Sequence, residues 1–391
     1  MEIRQLRPEE FDASLSLSEY AFQYKLSAEA RAKALERFKP ERVWGIFDDS
    51  GLAAKFTLLP FQSYIQGRPL LMGGIAGVAT WPENRRQGLV AKLLAHALIK
   101  MNEAGQMLSC LHPFYVPFYR KFGWEVYCEY KKYTIPSGKF PEKVQVEGRV
   151  KRDEGKLDVL DDLYRKFASK YNGTLVRDKE WWEKSVLDDD GHSAVYYSQE
   201  GEAEGYALYK IQNRELVIDE FVYANGRARS GLWNYFANHD SMVTQAHLKM
   251  VPADDDLPFL LPDPRITQEN HPYFMARIVN VKAFVEQLSF VATSSLGSIT
   301  LSVVDSLAPW NNGFWTLSVD GQGKPSLQAL QSEPGGEETA ACGIGTLTTM
   351  LLGYKRPMDM YQAGLLTGNI CSVSWLEERI PRAQTALFDF F

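Results

Sequence analysis

Gly77-Val78-Ala79-Thr80-Trp81-Pro82-Glu83-Asn84-Arg85-Arg86-Gln87-Gly88-Leu89-Val90 is the stretch of this 391-residue chain on which its fold turns. It begins inside residues 70–80, a run rich in small and β-branched side chains that fits a central strand. From Gly88 onward Leu89, Val90, Leu93, Leu94, Ala97, Leu98 and Met101 recur at the spacing of a helix with one buried face, and Gly105 supplies the stop. Residues 106–111 read as the next strand, which makes strand, loop, helix, strand, with a connection long enough for a parallel pair. Gly88 allows close backbone approach, and the helix behind it starts with unpaired N–H groups and the positive end of its dipole. Arg85 and Arg86 add charge-assisted donors, so the loop can cradle a pyrophosphate. No Gly-Lys-Ser/Thr follows and the loop holds one glycine, not three, which disfavours nucleoside triphosphates and dinucleotides.

Upstream, residues 43–47 and 52–59 flank Asp48-Asp49-Ser50-Gly51 and predict a hairpin, with a second turn at Gln66-Gly67-Arg68-Pro69. Downstream, residues 136–148 read as a linker. Residues 149–250 repeat the order of the first unit: helical material over 156–187, strands near 193–211 and 216–223, and a helix from about Gly231. A second boundary falls in 251–272, which holds five prolines and Asp254, Asp255 and Asp256. Strand-like runs such as 298–304 and 314–319 then alternate with short helical pieces. The expected divisions are 1–135, 136–272 and 273–391, in a mixed α+β chain. The acidic runs Asp188-Asp189-Asp190 and Asp254-Asp255-Asp256 read as solvated turns.

Composition narrows the function classes. Apolar residues are 45% and charged residues 24%, as in folded globular domains, and a net charge of -6 argues against non-specific adhesion to nucleic acid. There is no run of 18 uncharged apolar residues and the first residues are charged, so neither a membrane partner nor export is expected, and the chain reads as cytoplasmic. Cys110, Cys128, Cys342 and Cys371 form no Cys-x-x-Cys pair, and the six histidines form no ligand cluster, so reduced thiols and no metal are expected.

The loop resembles the acyl-coenzyme A signature of the GNAT superfamily of N-acetyltransferases, Arg/Gln-x-x-Gly-x-Gly/Ala after a central strand. Arg85 and Gly88 match its first and fourth positions, and Val90 stands at its last. The resemblance implies acetyl-CoA as co-substrate. Val78, Ala79 and Thr80 would lie along the pantetheine arm, and Arg85, Arg86, Gln87, Gly88, Leu89 and Val90 would surround the pyrophosphate. Beyond the following strand, Phe118-Tyr119-Arg120-Lys121-Phe122-Gly123-Trp124 resembles the superfamily's Phe-Tyr-x-Lys-Phe-Gly-Phe/Tyr element. By that resemblance Tyr119 is the general acid that protonates the departing thiolate.

The three-unit length, the second degenerate copy and the ending Phe390-Phe391 resemble the Eis (enhanced intracellular survival) family. This implies two tandem GNAT-like folds, a sterol carrier protein-like α+β domain and a homohexamer. It also implies an N-acetyltransferase acting on a primary amine of a small acceptor such as an aminoglycoside, a polyamine or a lysine side chain. In that family the C-terminal carboxylate is the base, here the α-carboxyl of Phe391. Its unperturbed pKa of about 3.3 to 3.7 would be raised by burial among aromatic residues. Phe22, Tyr24, Trp44 and Phe390 are the expected acceptor-pocket walls, and Asp389 is either an alternative carboxylate base or a further wall. The middle unit has Ala228 three residues before Gly231 where an arginine would be required, so it is expected to be a scaffold. The competing reading is a non-catalytic protein that binds acyl-CoA or lipid.

Overall fold

The quoted loop bridges a parallel strand pair in the computed structural model, which describes residues 2–153, 156–187, 190–293, 297–332 and 339–391. The strands β1 Glu2–Gln5, β2 Val43–Asp48, β3 Gly51–Ile65, β4 Arg68–Thr80, β5 Leu108–Leu111 and β6 Glu125–Val126 form one seven-stranded sheet with Met275–Ile278, which lies between β5 and β6. The helices of this unit are α1 Phe11–Phe22, α2 Ala28–Glu36, α3 Leu89–Glu103 and α4 Val116–Arg120. The crossover helix α3 buries Leu89, Leu93, Leu94, Ala97, Leu98 and Met101 against Ile46, Ala54, Phe56 and Ile75. Each buried leucine is worth roughly 1.5–3 kcal/mol, so this stripe alone holds the helix to the sheet.

The sheet opens where the quoted stretch begins. Pairing of β4 with β5 runs only from Met72–Leu108 to Ile75–Leu111. Just beyond it, β3 and β4 shift register between Lys55 and Thr57, and Gly77 takes a left-handed φ of 58°. Such a bulge bends its strand. β5 itself ends at Leu111, so the last residues of β4 run on with no described strand on that edge, and this gap is the splay. Earlier in β4, Gly73 and Gly74 alternate faces: a Cβ on Gly73 would sit 2.7 Å from Met101 Sδ, and one on Gly74 would sit 2.8 Å from Cε2 of Phe391.

A second seven-stranded sheet repeats the plan. Its parallel pair is Glu215–Tyr223 with Gln245–Pro252, joined by the helix Gly226–Ala237. A third, five-stranded sheet runs from Gly297–Val304 to Leu366–Gly368 and packs with the helices Ile344–Leu352, Pro357–Gln362 and Ile370–Arg379.

The sheets divide the chain at other points than the expected 135/136 and 272/273. Glu129–Pro136 and Thr267–Pro272 pair with each other in the second sheet, while Met275–Ile278 returns to the first. The sequence hides this return because the strand is four residues long and carries Arg277, which is fully buried. The second unit's helix also starts at Gly226, five residues before the expected Gly231, because Asn225 caps it. First and third units share one core, with Ile65, Met72, Leu108 and Cys110 packed among Phe274, Leu301 and Leu347. Asn172 ties all three units: its Oδ1 accepts from the Gln66 amide at 2.6 Å and its Nδ2 donates to Leu352 O at 2.9 Å. All four cysteines are free thiols. Among the described residues no helix is long and apolar enough to cross a membrane. Asp188 and Asp189 lie outside the described residues. Asp256 pairs with Arg229 at 2.6 Å, and Asp255 caps Leu257 N at 2.9 Å, so the second acidic run is a structured turn.

Candidate active site

The loop after β4 shapes its end for an anion. Gly88 is the N-cap of α3 with φ 75°, and no side chain caps the helix, so its first N–H groups carry no side-chain acceptor. A Cβ on Gly88 would meet nothing within 4 Å. The glycine is therefore required by its backbone angle and by whatever approaches from outside. Arg86, two residues earlier, also holds a left-handed φ of 64°, an uncommon angle for a side-chain-bearing residue that costs of order 1–3 kcal/mol. Gln87 ties the loop together through Nε2 to Glu83 O at 3.0 Å.

A cavity of about 540 Å³ fills the space between this loop, the splayed end of β4 and α1. Val78, Ala79, Thr80, Arg85, Arg86, Gly88, Leu89 and Val90 line it together with Phe22, Phe118 and Phe122. Thr80 Oγ1 is buried there without a hydrogen-bond partner. An orphaned hydroxyl, open helix amides and two arginines fit a polar arm ending in a pyrophosphate.

Tyr119, on α4, is 2% exposed and edge-on to Phe114 and Phe118, with ring centroids at 5.4 and 5.2 Å. Burial raises its phenol pKa well above the ordinary value, so it holds its proton through the neutral range. The residues after it are gripped from the returning strand. Arg277 donates to Phe122 O and to the Asp305 carboxylate and lies 5.1 Å from the Trp124 ring centroid. Burial lowers the Arg277 pKa to about 10, which leaves it charged at neutral pH. Gly123 has φ 85°, and a Cβ there would sit 2.5 Å from Ile344 of the third unit.

The chain end reaches the same sheet. The Phe391 ring packs at 5.0 Å from Phe61 and 4.8 Å from Phe274, over Gly74. Phe390 is 64% exposed and meets His112 edge-on at 5.0 Å. Asp389 is 5% exposed, and its carboxylate accepts from Arg177 Nε at 2.8 Å, Trp181 Nε1 at 2.8 Å and Tyr164 OH at 3.2 Å. A groove of about 800 Å³ runs past Phe388, Asp389 and Phe390 at the second unit's own splay, where Asp219, Glu220, Lys249 and Met250 leave the parallel pair.

Two family models described as acetyltransferase (GNAT) domains match residues 2–127 and 173–278, and a sterol carrier protein domain model matches 281–387. The N-acetyltransferase Eis of Mycobacterium tuberculosis is 24% identical over 249 residues, 59% of this chain and 61% of that one. The chain thus carries two GNAT acetyltransferase domains and a sterol carrier protein domain, and it is similar to the Eis N-acetyltransferases. An uncharacterized N-acetyltransferase of Streptomyces avermitilis is 24% identical over 295 residues, 68% of this chain and 69% of that relative. A crystal structure from Enterococcus faecalis described as a probable N-acyltransferase superposes with a TM-score of 0.91 at 29% identity, covering 100% of this chain and 99% of that one. Eis1 of Mycobacterium abscessus shares the fold, with a TM-score of 0.82 at 18% identity and full coverage of both chains. This Eis-like chain is thus an acyltransferase, and its GNAT domains imply acetyl-CoA as co-substrate.

Of the residues singled out in the sequence, Tyr119 and Phe391 line neither the coenzyme cavity nor the groove. Eight of the nine expected coenzyme residues, those named above, line the cavity, while Gln87 braces the loop from outside it. Of the expected acceptor walls, Phe22 lines the coenzyme cavity and Phe390 the groove. Tyr24 and Trp44 line neither. Tyr24 stands just past the end of α1, and the Trp44 ring packs under α3 at 4.5 Å from His96. Among the described residues no group of three or more His, Cys, Asp or Glu side chains could hold a metal ion. Sequence reasoning missed Arg177, Glu220, Arg277 and Asp305, which lie far from either motif. Adjacent Gly73 and Gly74 inside a strand were the available signal that something approaches β4 closely.

Proposed function

We propose that the chain transfers the acetyl group of acetyl-CoA to a primary amine of a small acceptor by direct attack, with the Phe391 carboxylate as base and Tyr119 as acid. Acetyl-CoA supplies a thioester. Arg85, Arg86 and the open amides of α3 hold its anionic end, and the free edge of β4 orients its arm. An alkyl amine with a pKa of about 10.4 arrives mostly protonated and must lose a proton before it attacks. Phe391 offers the acceptor for that proton, and Tyr119, kept protonated by burial, offers a donor for the departing sulfur.

The observation that carries this reading is the seat of Phe391: its ring lies over Gly74 between Phe61 and Phe274, inside the first unit's sheet. The ring thus touches β3 and β4 of the first unit as well as the core that the first and third units share. One glycine added after Phe391 should lower kcat about 100-fold or more and leave the KM for acetyl-CoA within twofold, measured as thiol release with an amine acceptor. An extended chain with the parent's rate would end the terminal-base reading. It would favour His112, whose ring meets Phe390 and whose pKa burial lowers, so that it is neutral at pH 7.

The groove beside the tail frames the acceptor class. Its lining is mixed, with Arg37, Lys184, Lys210 and Lys249 beside Glu183, Asp219 and Glu220. The acidic surface expected for an aminoglycoside-like or polyamine acceptor is absent from that lining, which favours a lysine-like amine with a single charge. A panel of aminoglycosides, polyamines and lysine peptides, read by the same thiol release, ranks these. Thiol release with none of them would favour the acyl-CoA-binding scaffold. We read the enzyme as a cytoplasmic homohexamer on its family resemblance, and light scattering of the purified chain tests the assembly.

A further inference from the structure

The end of the chain is held by a charged cluster that the coenzyme site does not use. Arg177 is 6% exposed and lies over the Tyr164 ring at 3.7 Å and the Trp182 ring at 4.6 Å. Its Nε bonds Asp389, while its two terminal nitrogens bond Glu220 at 3.0 and 2.6 Å. Tyr206 OH donates to Glu220 as well, and Trp181 and Tyr164 complete the shell of Asp389. The backbone is caught too: Tyr273 OH donates to Asp389 O at 3.0 Å. Every group in this shell except Asp389 belongs to the middle unit or to the strand leaving it.

From these contacts we infer that Asp389, clamped by Arg177 against Glu220, is the positioning residue for the terminal carboxylate. Chain ends fray unless something ties them down. With both the side chain and the carbonyl of Asp389 fixed, only Phe390 and Phe391 lie beyond the tether, and the Phe391 ring is seated on Gly74. The α-carboxylate is then confined to a small volume beside β4. Misplacing a reacting group by about 1 Å can cost on the order of 100-fold in rate. The middle unit thus contributes to the reaction without touching substrate, by fixing the last three residues of the chain.

The inference rests on the terminal-base reading, and one set of full-length chains separates the two. Asp389→Asn keeps the shape and leaves Arg177 paired one-to-one with Glu220; Asp389→Ala removes the tether. Both should lower kcat, by about 10-fold and about 100-fold, with the KM for acetyl-CoA within twofold. The acidic limb of the pH profile of kcat should weaken in step, which a fold-level loss would not produce. Adding one glycine after Phe391 to the Asp389→Ala chain should lower kcat by no more than about twofold further, because both changes remove the same placed carboxylate. Losses that multiply, or an Asp389→Ala chain as fast as the parent while the extended parent is slow, would overturn the clamp and leave the terminal base standing. An extended parent as fast as the unextended one would overturn both.

Discussion

The two acetyltransferase units share a plan and part company just beyond the bulge. In each, a parallel pair is bridged by a helix, and one register shift follows where the pair ends. The first pair after that shift is Lys55–Ala79 in one unit and Leu208–Glu220 in the other. Ala79 leaves room and lines the coenzyme cavity, whereas Glu220 fills the matching place with a carboxylate bonded to Arg177. The helices differ in the same sense. Gly88 leaves the amides of α3 uncapped, while Asn225 spends its side chain on Ala228 N at 2.9 Å, and Arg227 and Arg229 are tied to Glu204 and Asp256. Gly231, the apparent counterpart of Gly88, is mid-helix with the Tyr196 ring against it. One copy keeps its opening for a ligand, and the other has filled part of its opening with the chain's own tail.

Three tests sharpen that contrast. The largest effect belongs to Tyr119→Phe, which should lower kcat about 100-fold with an unchanged melting temperature, measured by steady-state thiol release and calorimetry. A smaller loss would put the proton donor elsewhere in the first unit.

Lys55 comes next. It is 5% exposed, its Nζ donates to Ser14 O at 2.7 Å and Ser14 Oγ at 2.6 Å, and burial lowers its pKa to about 8. Below pH 8 the folded and unfolded chains both carry the proton and the burial cost is complete. Between pH 8 and about 10.4 only the unfolded chain holds the proton, so folding stability rises with pH across that window. The parent should gain about 3 kcal/mol there in denaturant titrations, and Lys55→Met, which gives the first unit an apolar side chain like Leu208, should show no such gain.

The last and smallest test is a matched pair. Gly88→Ala forces a side chain into a left-handed angle beside the cavity and should raise the KM for acetyl-CoA about tenfold, since that angle costs roughly 1–2 kcal/mol. Gly226→Ala, at the start of the second unit's helix, should leave that KM unchanged. An equal effect at both glycines would mean that the second unit also binds coenzyme.

Residues 77–90 determined the first unit almost unaided. A β-branched run, one glycine and a three-and-four apolar stripe specify strand, loop and helix because each is a local preference, written within a few residues of where it acts. The same holds for the coenzyme-lining side chains, since a loop at a helix start brings its own donors. What only the tertiary structure decided is which distant groups meet at that opening. Met275–Ile278 returns to the first sheet with Arg277 under Phe122, and Arg177, itself paired with Glu220, meets Asp389 from 212 residues away. Those contacts leave no periodic trace, because a buried arginine and a surface arginine are the same letter until a carboxylate is placed against one of them.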